Sequence, residues 1–124
     1  MVRKTSLMLA LFVSLVASAA SADGMTVQQF LTTAAGIPRN PTALLRSDTR
    51  RLMNEVKGAF QTVRSEEVAA RAAGRRPATC MPERVAVNSD HLMARLNAVP
   101  AARRNISVTQ AIREWMVESH PCPA

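Results

Sequence analysis

The chain has no tyrosine, one tryptophan, two histidines, two cysteines and four glycines among its 124 residues. Each scarcity removes a class of explanation. Beyond Phe12 the aromatics are Phe30, Phe60 and Trp115 alone, too few for a platform on which bases could stack. That argues against nucleic acid as a partner. His91 and His120 are not arranged as a His-x-x-x-His pair with a carboxylate, the pattern of a zinc hydrolase. Two cysteines without a correctly spaced histidine do not complete a metal site. No G-x-S-x-G marks a nucleophile and no glycine-rich loop could cradle a phosphate. The sequence therefore predicts no catalytic, metal-binding or cofactor-binding residue and no enzyme activity.

Long apolar runs are also scarce: only one occurs, at the start. In "MVRKTSLMLALFVSLVASAASADG", Arg3 and Lys4 precede an apolar stretch from Leu7 to Val16, and Ala20-Ser21-Ala22 forms a small-x-small cleavage site. The stretch is shorter than the roughly 20 residues a spanning helix needs. Residues 1–22 read as a signal peptide, cleaved near Ala22, and no lipobox cysteine follows. The remainder, residues 23–124, reads as a single domain placed in the periplasm or secreted. Removing Arg3 and Lys4 from the 16 basic residues leaves 14 against 9 acidic ones, a net charge of +5.

A core drawn from Leu, Val, Met and Ala buries less area per residue than an aromatic one, so a domain of this size gains from a covalent staple. Export to an oxidising compartment and a count of two predict a Cys80–Cys122 disulfide. Closing a loop of that length stabilises by roughly 4 kcal/mol.

Helical signals recur along the domain and strand signals do not. Thr26 three residues before Gln29 forms a capping-box pattern, followed by Val27, Phe30, Leu31 and Ala34 at helical spacing and by Gly36 and Pro38 as stops. The connector "IPRNPTALLR" has room for one short helical turn. Ser47 or Asp48 is expected to cap a long helix from Thr49 to Ala73, with Leu52, Val56, Ala59, Phe60, Val63 and Ala70 on one face. Glu66 and Glu67 interrupt that stripe and read as a solvated face, so its second half is expected to be less buried. Gly74 stops the helix. Asn88 or Ser89 caps a third helix bearing Leu92, Met93 and Leu96, which Pro100 ends, with a helical turn expected through Arg103. Ser107 and Gln110 form a second capping-box pattern before Val108, Ala111, Ile112, Trp115 and Met116, and His120-Pro121 closes the last helix. The expected fold is a small all-α bundle of about four helices, with the disulfide joining the segment before helix 3 to the end of helix 4.

The basic excess is the one feature that points to a partner. Arg75 and Arg76 follow the long helix, and Arg103 and Arg104 sit in a later turn. Arginine suits paired contacts to carboxylates at interfaces, so these four are the candidate partner-binding residues. His120 at a helix end reads as a partner for the helix dipole, and His91 as solvent-facing.

Residues 80–122, "CMPERVAVNSDHLMARLNAVPAARRNISVTQAIREWMVESHPC", resemble the C-terminal half of the Rap/Tai-type immunity proteins. The matching features are Cys80-x-Pro82, the capped helix with Leu92, Met93 and Leu96, Pro100, Arg103-Arg104, and a final helix ending in Pro121-Cys122. The region around Gly58 departs from the family, whose members commonly carry further cysteines there. The resemblance implies an exported helical protein that binds and inhibits a cell-wall amidase delivered by a type VI secretion system. It would do so by occluding the cleft of a peptidoglycan amidase. The alternative is a cationic envelope protein with a structural or interaction role at anionic membrane or cell wall. Homo-oligomer formation stays open on sequence grounds.

Overall fold

A computed structural model describes residues 24–124; the signal peptide expected over residues 1–22, with cleavage near Ala22, lies outside them. Four α-helices form: α1 (Val27–Ala35), α2 (Ser47–Ala72), α3 (Ser89–Asn97) and α4 (Val108–Ser119). Short 3-10 helices occupy Pro41–Leu45 and Ala101–Arg103. Among the described residues there is no strand, only one antiparallel bridge between Thr26 and Ser107. No described helix is long and apolar enough to cross a membrane.

Local chemistry explains where the helices begin. Thr26 and Gln29 close a full capping box on α1. The bridge adds Val27 N–H to the Ile106 carbonyl and Val108 N–H to the Met25 carbonyl, both at 2.9 Å. The starts of α1 and α4 thus satisfy each other's orphan donors. At α4 only half a capping box forms. Ser107 Oγ accepts from Gln110 N at 2.9 Å, but the Gln110 side chain turns outward to Arg113 and Glu114. Asn88 caps α3 by accepting from Asp90 N.

The start of α2 differs from expectation. Arg46 holds the N-cap position and neither Ser47 nor Asp48 caps with its side chain. The preceding 3-10 helix runs to Leu45 and leaves Arg46 as the single extended joint between the two helices. Asp48 instead pairs with Arg46 at 3.2 Å. The far end of α2 stops by a Schellman arrangement, with Arg75 N bonded to the Ala70 carbonyl and Gly74 N to the Arg71 carbonyl. That turn needs Gly74 at φ +70°, where a Cβ would be strained.

The core joins Val27 and Phe30 of α1, Leu52, Ala59 and Val63 of α2, Leu92 and Leu96 of α3, and Val108, Ile112 and Met116 of α4. Helix α2, 26 residues long, packs chiefly against α4. Cys80 and Cys122 are bonded, tying the segment before α3 to the tail after α4. The Cys80 N–H donates to the His120 carbonyl at 2.8 Å beside the bridge.

The second half of α2 is not the solvated face expected of it. Glu67 is only 4% exposed and continues the inward stripe between Val63 and Ala70. A charge there is tolerated because three donors converge on it. Met81 N reaches its carboxylate at 2.8 Å, Arg64 at 3.4 Å and Arg71 at 3.5 Å. Glu66 does face solvent, and its carboxylate takes both arms of Arg113 on α4.

Candidate partner-binding groove

The first half of α2 leaves its apolar face incompletely covered. Leu52, Val56 and Phe60 form a floor there, and Ile37, Leu44, Val85, Val87, Leu92 and Met93 line the rest. The resulting groove encloses about 870 Å³. Leu44 is 70% exposed, Met53 62% and Val87 38%. These are large apolar side chains at one site, which makes them a patch and not scattered surface hydrophobes.

The wall formed by residues 81–87 has no regular structure, so its position depends on side chains from α2. Arg64 Nη1 donates to the Met81 carbonyl at 3.2 Å, and Nη2 to the carbonyls of Pro82 and Glu83. Glu67 takes the Met81 N–H. One arginine and one carboxylate, three residues apart on α2, thus hold both polarities of the same backbone. The Cys80–Cys122 bridge anchors this wall one residue upstream. From the sequence Arg64 carries no expectation, and Glu67 is expected on a solvated face. The available signal was a carboxylate at an inward position of the stripe, with arginines three residues before and four after it.

Charge on the groove comes from Arg39, Lys57, Arg64 and Asp90. Arg64 is occupied as described. Arg39 and Lys57 are exposed and make no ion pair among the described residues.

None of Arg75, Arg76, Arg103 and Arg104 lines the groove. Arg75 and Arg76 lie past the far end of α2. Arg76 donates to the carbonyls of Cys122 and Pro123 at 3.0 and 2.9 Å, clamping the tail. Arg103 pairs with Glu114 at 2.7 Å. Arg104 donates to the carbonyls of Val99 and Asn97, both at 3.1 Å, closing the connection after α3. Arg75 is exposed and without an ion pair among the described residues. Three of the four, Arg76, Arg103 and Arg104, thus bond within this chain.

Elsewhere the polar surface is organised by ion pairs between elements. The Arg113 hydrogen bond holds Glu66 below the usual carboxylate range against the opposing effect of burial. Arg103 does the same for Glu114, and Arg95 for Glu118. A second, smaller recess of about 240 Å³ lies among Arg95, Arg103, Glu114 and Glu118. Its charges already neutralise one another, since Arg95 binds Glu118 and Arg103 binds Glu114.

No family model, curated protein or solved structure matches this chain.

Proposed function

We propose that the chain is an exported, non-catalytic binding protein of the immunity type, which neutralises a cell-wall amidase by covering its cleft. The observation that carries the binding role is the open apolar groove, with Leu44, Met53 and Val87 exposed around a floor of Leu52, Val56 and Phe60. An inhibitor that must hold its target tightly needs a desolvated apolar anchor on a surface that is already rigid. Arg64, Glu67 and the disulfide supply that rigidity by fixing one wall. The bridge also favours export, because structural disulfides persist in oxidising compartments. The amidase as target comes from the resemblance of residues 80–122 to the Rap/Tai-type proteins.

The test is periplasmic co-expression with a cysteine-histidine amidase encoded beside this gene. Cells that also make this protein are expected to survive, and Met53→Asp is expected to remove the protection. Equal lysis with and without the protein overturns the immunity role. Full protection by the Met53→Asp variant overturns the groove as its docking face.

A further inference from the structure

We infer that the groove seats an amphipathic α-helix of the partner whose flanks carry acidic residues. This rests on the reading of the groove as the docking face, and adds the chemistry of what fills it.

Length and the spacing of the floor argue for a helix. The α2 residues lining the groove run from Thr49 to Arg64, about 22 Å at 1.5 Å per residue, which matches four turns of a second helix. The floor repeats apolar residues at helical spacing, Leu52, Val56 and Phe60, so it offers successive holes for side chains at i, i+3, i+4 and i+7. The two methionines of the lining outside the buried core, Met53 and Met93, can adjust their rotamers to such a surface.

Charge argues for acidic flanks. The lining carries Arg39, Lys57 and Arg64 against Asp90 alone, and Arg64 is already bound to Glu67 and to three carbonyls. Arg39 and Lys57 remain on the rim and make no ion pair among the described residues. A second copy docked face to face would set these cations against themselves, which like-charge repulsion disfavours. Glutamates flanking a bound helix would pair with them.

The sole tryptophan provides the readout. Trp115 packs on Phe60 with ring centroids 6.4 Å apart, and Phe60 lines the groove. The probe is an 18-residue helical peptide with Leu at i, i+3, i+4 and i+7 and Glu on the flanks. Its controls are the same peptide with Lys flanks and a scrambled one. The Glu peptide is expected to shift Trp115 emission and to bind at least tenfold tighter than either control by calorimetry, weakening as salt rises. Arg39→Glu with Lys57→Glu should reverse the preference between the Glu and Lys peptides. Both residues are exposed, and circular dichroism checks that the variant keeps its helices.

Equal binding of Glu and Lys peptides, or no binding by any helical peptide, overturns the inference. So does a concentration-dependent dimer that Met53→Asp abolishes, which would assign the groove to a second copy. Failure of the peptides combined with loss of amidase protection in Met53→Asp would sink the acidic helix while leaving the groove as the docking face. Retained protection in Met53→Asp would remove the docking face itself.

Discussion

Glu67 shows how much one position can decide. Its spacing from Val63 and Ala70 is that of a core residue, and its type is that of a surface residue. Spacing prevails because Met81 N, Arg64 and Arg71 replace the water it gives up. Removing one partner of a buried pair costs about 3–5 kcal/mol when the other charge is stranded. Here Arg71 is 58% exposed and Arg64 34%, so solvent takes up much of their charge. What remains is chiefly the unsatisfied Met81 N–H. Glu67→Ala is therefore expected to cost about 2 kcal/mol in urea unfolding. Glu67→Gln, which keeps an oxygen for Met81, should cost about half as much. Thr49 presents the opposite case. Its hydroxyl is buried without a hydrogen-bond partner among the described residues, so the isosteric Thr49→Val is expected to leave stability unchanged or raise it by about 1 kcal/mol in the same assay.

The elements were legible because what starts and stops a helix lies within about four residues of its end. Thr26 with Gln29, Asn88 with Asp90, and Ser107 with Gln110 all act over that range. The stop at Gly74 likewise needs only the preceding turn. The same locality explains the failures. Gln110 has two local partners besides Ser107, and its side chain goes to Arg113 and Glu114, three and four residues on. Before Ser47 the expected helical turn runs as far as Leu45, which leaves only Arg46 as the joint and moves the cap there. A measurable difference follows at α4. Ser107→Ala is expected to lower stability by about 1 kcal/mol, a normal N-cap loss. Gln110→Ala should cost only a few tenths, because Gln110 does not complete a box there. Thermal unfolding of the two variants would separate them; equal losses would mean that a full box forms in solution.

At the scale of the molecule, two kinds of long-range tie hold the bundle. The Cys80–Cys122 bridge restrains the unfolded chain, and replacing both cysteines with serine is expected to cost roughly 4 kcal/mol in urea unfolding. Trp115 fluorescence should also report a looser wall at residues 81–87, since that wall and Phe60 line the same groove. The ion pairs contribute differently. Glu66 and Glu114 titrate below the ordinary carboxylate value in the folded protein because Arg113 and Arg103 bind them. A carboxyl with a lowered folded pKa adds stability above its unfolded value, about 4.3, and loses it as pH falls through the folded one. Stability is therefore expected to be flat from pH 7 to about 5 and to decline below about 4. Glu66→Gln should reduce that decline by less than about 1 kcal/mol, because the pair is largely exposed. A pH series of urea midpoints for the two proteins checks this. The sequence by itself determined the four helices, the capping residues Thr26, Asn88 and Ser107, and the identity of the disulfide partners, since periodicity and short-range hydrogen bonds need no distant residue and two cysteines leave one pairing. Only the tertiary structure decided which arginines stay free, that Glu67 turns inward, and where an apolar groove remains open. Those outcomes depend on residues far apart in the chain, such as Glu66 with Arg113 and Arg76 with Cys122, 47 and 46 positions away. The groove itself exists because no segment among the described residues covers the apolar face of the first half of α2.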